Sequence, residues 1–182
     1  MKKVLLIVLT LGIGFWGCAE DTNLTGPEKT DVQKSFLKVD EDNFTTSMEK
    51  KTVNSIEIDG EKGGIFKFKL KNGKLKAKGH LRFKKGSFKG VKPISVKLVD
   101  GLLAFEFSPS IELINPAALL TAEIKGVKLD KNVAKGDYEF VFIDGAEFIA
   151  VPYKKIIIDK KHGRLKVVKA ELSSFTRYGW TR

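Results

Sequence analysis

The chain has 182 residues, of which 42% are hydrophobic, and 33 basic and 22 acidic side chains give it a formal net charge of +11. This length allows one domain with a sizeable core. One cysteine excludes an intramolecular disulfide framework, and one cysteine with two histidines excludes a zinc cluster of the ordinary kind. Residues 19–59 carry ten acidic and five basic side chains, whereas residues 60–182 carry 12 acidic and 26 basic ones.

The first 17 residues have the layout of a secretory signal. Two lysines precede an apolar stretch that is shorter than the about 20 residues of a membrane span. Gly17 followed by Cys18 resembles the end of a bacterial lipoprotein signal, although Phe15 and Trp16 depart from its usual pattern. We predict cleavage after residue 17 and lipidation of Cys18. The alternatives are an ordinary cleaved signal and an uncleaved anchor with an incidental cysteine.

Lipidation would place the remaining chain outside the cytoplasmic membrane. The residue after Cys18 is Ala19 rather than Asp. By resemblance to the sorting rules of Gram-negative lipoproteins, this favours the outer membrane. We therefore predict an exported protein that is lipid-anchored in the cell envelope.

Residues 18–51 are interpreted as a flexible acidic tether before a domain at residues 52–182. The segment is rich in polar and charged residues and has few apolar ones, which is typical of unfolded linkers. A coil of this length has an end-to-end distance of roughly 30 Å. Phe36, Leu37 and Val39 form an apolar stretch within it, and docking of this stretch on the domain is the alternative to a wholly undocked tether.

The domain predicted over residues 52–182 shows the alternation of β-strands. Over residues 66–70, apolar residues alternate with lysines, which gives the period of two that a half-buried strand requires. Asn72-Gly73 follows and is a strong hairpin signal. Residues 144–145 and 161–163 predict two more tight turns. Short strands at this spacing indicate an antiparallel sandwich or barrel.

One segment has a different local preference. Residues 116–123 have a high helix propensity, and Pro116 suits the first position of a helix. Local propensity is a weak guide, because tertiary contacts routinely override it. Helix and strand are therefore both open on these residues alone.

Four stretches in one order resemble a known family. They read Leu-Arg-Phe-Lys-Lys-Gly-Ser-Phe at 81–88 after Gly63-Gly64, Phe-Glu-Phe-Ser-Pro-Ser at 105–110, Asn-Pro-Ala-Ala-Leu-Leu-Thr at 115–121, and Ser-Phe-Thr-Arg-Tyr at 174–178. Together they are similar to the ZU-type β-sandwich of ankyrins, netrin receptors and zonula-occludens proteins. The resemblance implies an all-β fold, an antiparallel β-sandwich of ZU-like type, with residues 116–123 in a strand. It also implies an interaction module.

The last motif bears on self-cleavage, which some members of that family carry out at a His-Phe-Ser run. Here Ser174 replaces the histidine and Thr176 the serine. A threonine without an adjacent base is a weak nucleophile, so we predict an intact chain. In this interpretation Phe175 fills the core of the last strand, and Arg177 and Tyr178 complete its edge.

Few side chains suit catalysis or cofactor binding. The sequence has no nucleophile elbow, phosphate loop or dinucleotide fingerprint. His80 and His162 are interpreted as surface or hydrogen-bonded residues. Glu139 and Glu147 would lie across one hairpin like the carboxylate pair of a glycosidase, although such pairs are usually an exposed face. Residues 40–43 lack the glycine and the distant glutamate of a calcium loop. We predict no catalytic residue, no metal site and no cofactor.

Lysines dominate the first hairpin. Thirteen basic residues lie between Lys62 and Lys97, and six of them fall on the polar side of that hairpin: Lys67, Lys69, Lys71, Lys74, Lys76 and Lys78. Lysine on exposed strands blocks edge aggregation, so this set is either a solvated face or an anion-binding patch. Nucleic acid is the least favoured anion, because Phe66, Phe68 and Phe83 are expected to point to the core rather than to stack on bases.

The sequence therefore predicts a surface-displayed lipoprotein whose β-sandwich is a non-catalytic binding or structural module of the cell envelope. Its expected partners are the membrane, through the lipid anchor, and an envelope protein or an anionic glycan. Two alternatives stay open. One is an envelope polymer hydrolase with a carboxylate pair, and the other is a carrier of a small apolar ligand inside the sandwich.

Overall fold

The computed structural model describes residues 35–38, 54–112 and 114–182, and these belong to one compact unit, Gln33–Arg182. In these ranges the chain forms eleven strands and one turn of 3₁₀ helix, Lys135–Asp137. The strands in chain order are β1 (Asn54–Asp59), β2 (Gly64–Asn72), β3 (Leu75–Phe83), β4 (Val91–Leu98), β5 (Ala104–Ile111), β6 (Ala118–Lys125), β7 (Glu139–Asp144), β8 (Glu147–Ala150), β9 (Lys155–Asp159), β10 (Arg164–Leu172) and β11 (Phe175–Thr181).

These strands build two antiparallel sheets that pack face to face. The six-stranded sheet has the order β1-β4-β5-β11-β7-β8, and the five-stranded sheet has the order β2-β3-β6-β10-β9. The predicted all-β class and the antiparallel sandwich are confirmed. The predicted signal at residues 1–17, Cys18 and most of the predicted tether lie outside the described residues.

The core lies between the two sheets and is rich in aromatic rings. Phe68 of β2 contacts Phe105 of β5, with ring centroids 5.6 Å apart. Phe83 and Phe175 join the sheets at a second point, at 5.5 Å, and Trp180 is almost completely buried. Burying one such side chain contributes about 1.5–3 kcal/mol, so this aromatic layer is a main source of cohesion between the sheets.

Two hairpin turns begin one residue later than predicted. Asn72 pairs with Leu75 at the end of the β2–β3 ladder, which leaves Gly73 and Lys74 as the turn. Gly73 has a φ of 56°, and Gly145 has the same φ at the matching position between β7 and β8. A glycine at the first turn position fits a type II′ turn, in which only that residue needs a positive φ. The residue before each glycine therefore ends a strand.

Residues 116–123 contribute to a strand, as the resemblance implies. β6 is the middle strand of the five-stranded sheet, with β3 on one side and β10 on the other. Its inward side chains, including Leu120 and Ile124, are fully buried. Pairing on both sides and burial of this face override the local helix propensity.

The last strand is an interior strand, so the predicted position of Arg177 and Tyr178 at an edge is wrong. β11 lies between β5 and β7. The Tyr178 ring is buried against Phe140 and Phe142, and its hydroxyl donates a hydrogen bond to the Ser174 carbonyl at 2.9 Å. Burial raises the pKa of the Tyr178 hydroxyl. The predicted core position of Phe175 is confirmed.

Four residues of the predicted tether pack on the sandwich. Phe36 pairs with Thr181, and Lys38 pairs with Leu102. Ser35 and Arg182 exchange two backbone hydrogen bonds of 2.8 and 3.1 Å. The predicted domain boundary at residue 52 therefore leaves out residues 35–38. These residues pair with the end of β11 and with the residue two positions before β5.

The docked segment places one side chain on each side of the six-stranded sheet. Leu37 is 7% exposed and joins the main core. Phe36 packs edge-on against Phe148, with ring centroids 4.4 Å apart. It covers a small outer cluster that contains Val141 and Ile143. The segment is thus held by apolar contacts as well as by backbone hydrogen bonds.

Candidate anion-binding face

The alternation of β2 and β3 directs the predicted lysines to solvent. Phe66, Phe68 and Leu70 are buried, and the lysines between and after them are exposed. Five of the six predicted lysines lie on the outer face of this hairpin: Lys67, Lys69, Lys71, Lys76 and Lys78. Lys74 lies in the turn instead. Phe66, Phe68 and Phe83 point to the core, as predicted.

Strand pairing extends this lysine set across the sheet. β6 and β10 direct three further cations to the same outer face, namely Lys125, Arg164 and Lys166. We call the combined surface the basic face; it comprises Lys67, Lys69, Lys71, Lys76, Lys78, His80, Lys125, Arg164 and Lys166. Lys166 lies between the buried Leu165 and Val167, so its outward direction follows from the local pattern. Such a pattern does not indicate which strands are neighbours in the sheet. Sequence reasoning therefore missed these three residues.

The register places cations directly opposite one another. Lys71 pairs with Lys76, Lys76 with Lys125, and Lys125 with Arg164, which gives an unbroken row of four cations across four strands. Lys69 and Lys78 form another such pair. Like charges directly opposite one another destabilise a sheet. Asp159 lies opposite Arg164 on β9, 3.4 Å from its guanidinium, and offsets this repulsion at one end of the row.

Glu123 is the carboxylate at the centre of the basic face. Its side chain is only 10% exposed and lies near three cations: Lys125 at 3.4 Å, Lys78 at 3.9 Å and Arg164 at 3.9 Å. Opposite charges at these distances compensate for the burial of the carboxylate. Asp159 is a second carboxylate at the β9 end of the face, 3.4 Å from Arg164, and the cations of the face still outnumber the two carboxylates.

Two shallow depressions of about 500 and about 460 Å³ lie on the basic face. Both are bounded by Lys69, Lys78 and Glu123. The first also contacts His80 and Lys166, whereas the second extends to the row of four cations. Because they share three residues, the depressions adjoin and offer a continuous surface to an extended ligand.

His80 lies in the first depression, opposite Lys67 on β2 and Thr121 on β6. Partial burial lowers the pKa of its imidazole, and the positive charges of Arg82, Lys67 and Lys166 lower it further. The prediction that His80 is a surface residue agrees with this position. The three cations give this part of the basic face a positive potential.

An ion-pair network on the outer face of the six-stranded sheet has Glu106 at its centre. Glu106 lies 2.8 Å from Lys97 and 3.3 Å from Arg177. The hydrogen bond from Lys97, followed by the charges of both cations, lowers the pKa of the Glu106 carboxyl. This arrangement resembles an ordinary surface ion-pair network and differs from the cation excess of the basic face.

His162 lies in the β9–β10 turn, as predicted. Its Nδ1 is 2.9 Å from Oδ2 of Asp159, and the imidazole is largely exposed. This hydrogen bond is the main cause of the lowered pKa of the Asp159 carboxyl. The contact closes a turn, which is a sufficient role for both side chains.

The predicted glycosidase-like carboxylates are not brought together. Glu147 pairs with Asp144 beside the β7–β8 turn, whereas Glu139 lies at the other end of β7, opposite Thr181. Among the described residues, no group of three potential ligands is arranged to hold a metal ion. The acidic residues 40–43 lie outside the described ranges.

The stretch that resembles the family's self-cleavage site begins at Ser174 and continues into β11. The Thr176 hydroxyl is buried and has no hydrogen-bond partner within the described part of the chain. His80 lies in the other sheet. In the ranges that the structure describes, no helix has the length and apolar character required to cross a membrane.

Comparisons of the chain with protein-family models, with curated proteins and with solved structures found no match. The likeness to the ZU-type domain therefore stays a prediction from sequence motifs. The functional assignment rests on the side chains of the basic face.

Proposed function

We propose that this protein is a non-catalytic binding module whose basic face holds an anionic glycan of the cell envelope. In this proposal a lipid on Cys18 displays the sandwich at the surface of the outer membrane. The ZU-like resemblance supports an interaction module, because relatives with that fold serve mainly in this role. The single observation that carries the proposal is the row Lys71–Lys76–Lys125–Arg164.

Protection of a sheet edge accounts for only part of this row. β2 is an edge strand, so Lys71 has an ordinary role in preventing edge-to-edge pairing. β3, β6 and β10 are interior strands whose edges are already paired. Glu123 and Asp159 offset part of the charge of Lys125 and Arg164, and a bound polyanion would neutralise the remaining charge of the row.

Two features favour a glycan over a nucleic acid. Single-stranded nucleic acids bind to aromatic platforms combined with positive charge. The aromatic residues of β2 and β3 are in the core, which leaves the outer side of this hairpin with lysines. The buried Glu123 carboxylate offers a hydrogen-bond acceptor, which suits the hydroxyl groups of a sugar.

The positions of Glu139 and Glu147 also favour binding over hydrolysis. Glu139 and Glu147 lie at different ends of β7 and β8, so these two residues do not form a glycosidase-like pair. The adjoining depressions are shallow and lined by cations. Such a surface suits retention of a polymer by charge.

The proposal is tested by equilibrium binding of the mature protein to hyaluronan and polygalacturonate fragments, with neutral dextran as the reference. We expect both acidic polymers to bind at low salt and to dissociate at high salt, because exposed charge contacts are screened. The double variant Lys71→Gln, Lys76→Gln should bind about tenfold more weakly, since each exposed charge contact contributes up to about 1 kcal/mol.

The matched control is Lys85→Gln, Lys89→Gln, which removes the same charge from exposed positions between β3 and β4 that line neither depression. It should bind like the wild type apart from a small loss. Equal losses in the two double variants would show that only net charge matters. Binding no stronger than to neutral dextran would contradict the proposal, and preferential binding to single-stranded DNA or anionic phospholipid vesicles would identify another partner class.

A further inference from the structure

Four strands contribute polar groups to the first depression of the basic face, the one of about 500 Å³. Lys67 of β2, His80 of β3 and Thr121 of β6 lie opposite one another in one row. Lys166 of β10 lines the same depression. These four side chains therefore surround one volume, although their strands are far apart in the chain.

The Thr121 hydroxyl lies beside an irregularity in β10. The register between β6 and β10 shifts between Val167 and Ala170, and Lys169 in this bulge has a φ of 54°. A positive φ is uncommon outside glycine, and bulges are frequent next to active sites. The Lys169 N–H donates a hydrogen bond of 3.2 Å to Oγ1 of Thr121. Because the oxygen accepts this bond, the hydroxyl proton remains as a donor for a group bound in the depression.

Two cations of the depression are not neutralised by the protein. Among the described residues, neither Lys67 nor Lys166 forms an ion pair with a carboxylate. Glu123 also lines the depression, but three other cations lie within 3.9 Å of its carboxylate and offset its charge. Burial lowers the pKa of the His80 imidazole, followed by the charges of three nearby cations that include Lys67 and Lys166. These two lysines are therefore available to an anion bound beside His80.

We infer that the first depression binds a phosphate-monoester group of the glycan. Its ligands on the protein are Lys67, His80, Thr121 and Lys166. The inference rests on the proposed function, because the depression is part of the basic face. A phosphate monoester has three terminal oxygens and a charge of about −1.5 to −2. The two ammonium groups offset this charge, and the imidazole and the hydroxyl group supply further hydrogen-bond donors.

A sugar carboxylate fits the same site less well. It has two oxygens and one negative charge, so it engages fewer of the four donors and offsets less of the positive charge. The second depression is lined by lysines and Glu123, with no histidine or hydroxyl group among the described residues around it. A phosphate group should therefore bind in the first depression and not in the second.

Matched monosaccharides test the preference for phosphate. Glucose 6-phosphate and glucuronate have the same ring and carry their anionic group at carbon 6, and glucose is the uncharged reference. NMR signals of the imidazoles measure binding at pH 7.5, because the chain has two histidines and His162 lines neither depression. We expect glucose 6-phosphate to shift the His80 signal, to leave that of His162 unchanged, and to bind about fivefold more tightly than glucuronate, the effect of one additional charge contact. Equal affinities for the two sugars would contradict the inference.

Two double variants with the same change in charge test the position of the site. Lys67→Gln, Lys166→Gln removes the two lysines of the first depression, and it should weaken glucose 6-phosphate binding about tenfold. The matched control is Lys71→Gln, Lys76→Gln, whose lysines line only the second depression. It should change this affinity by no more than about twofold. Equal losses in the two double variants would contradict the inference.

Thr121→Val tests the hydroxyl group without a change in charge. It should weaken glucose 6-phosphate binding about fivefold, the effect of one hydrogen bond. Thr121→Ser keeps the hydroxyl and should bind like the wild type. Thermal unfolding shows whether Thr121→Val is folded, and the wild-type preference for phosphate tests the inference without any variant.

The outcomes separate the inference from the proposed function. If hyaluronan and polygalacturonate bind but glucose 6-phosphate leaves the His80 signal unchanged, the inference fails and the anion-binding function stands. If neither polymer binds the wild-type protein, the proposed function itself fails. Inorganic phosphate and glycerol 3-phosphate, which resembles a lipid headgroup, distinguish the sources of phosphate. Tighter binding of either one than of glucose 6-phosphate would overturn the assignment to a glycan.

Discussion

His80 is the histidine of the basic face, and an unperturbed imidazole changes its charge near neutral pH. Its neighbours are Lys67 on β2, Thr121 on β6, Lys166 on β10 and Arg82 on its own strand. Burial and these cations lower the pKa of the imidazole in the protein without ligand. An anion bound over this row would offset the cations and raise the pKa of His80 in the complex.

We therefore expect the affinity for dextran sulfate, whose sulfate groups remain charged throughout, to increase as the pH falls from about 8 to about 5. At pH values above the pKa of His80 in the complex, the affinity is constant. At pH values below the pKa of His80 in the protein without ligand, which is the lower of the two, the affinity stops increasing. Because binding takes up at most one proton at His80, the affinity can increase by no more than about tenfold per pH unit. Calorimetric titration in buffers of different ionisation enthalpy measures the proton uptake.

His80→Gln keeps a polar side chain and removes the titrating group. Its affinity for dextran sulfate should be nearly independent of pH over the same range. An unchanged pH dependence in His80→Gln would assign proton uptake to another group.

At the scale of strands, local patterns predict which side of a hairpin faces solvent. The alternation over residues 66–70 predicts both the outward lysines and the inward phenylalanines, because side-chain direction in a strand has a period of two. The turn glycines are also recognisable, although Gly73 and Gly145 each begin the turn instead of ending it.

Local patterns do not reveal which distant strands become neighbours. Lys125 and Lys166 join the basic face because β6 pairs with both β3 and β10, far apart in the chain. The docking of residues 35–38 is equally hard to predict from sequence. Their apolar side chains allow docking on the domain, but they do not distinguish it from an undocked tether. In both cases, long-range pairing decides the outcome, and no single segment encodes it.

The docked segment should contribute measurably to stability through Leu37. This side chain joins the main core, so Leu37→Ala removes buried apolar volume and should lower the free energy of unfolding by about 2 kcal/mol. Lys38→Ala changes the neighbouring exposed residue and should have an effect within about 0.5 kcal/mol. Urea unfolding of both variants measures the difference. Identical unfolding midpoints would mean that residues 35–38 do not stabilise the fold.

At the scale of the whole molecule, the two sheets present different outer surfaces. On the six-stranded sheet, Glu106 is balanced by Lys97 and Arg177. On the five-stranded sheet, the cations outnumber the carboxylates. A sandwich with one strongly positive face would be oriented by any anionic layer that it meets.

The proposed anchoring gives a prediction for the complete chain. Mass spectrometry of the mature protein should find an acylated Cys18 at the N-terminus, and the protein should fractionate with membranes. Cys18→Ser should release it to the soluble fraction with the same unfolding midpoint, because the substitution changes none of the described residues of the sandwich. An unmodified cysteine in the mature protein would contradict the anchoring proposal.

The pairing of Ser35 with Arg182 sets an upper limit on the distance that the module can reach from the bilayer. Only 17 residue steps separate Cys18 from Ser35, and a fully extended chain spans at most about 3.6 Å per residue. With a lipid on Cys18, the docked corner of the sandwich stays within about 60 Å of its anchoring point. A sandwich attached first at residue 52 would have twice that range. In the proposed lipid-anchored protein, the four docked residues would therefore limit how far from the membrane a ligand can be captured.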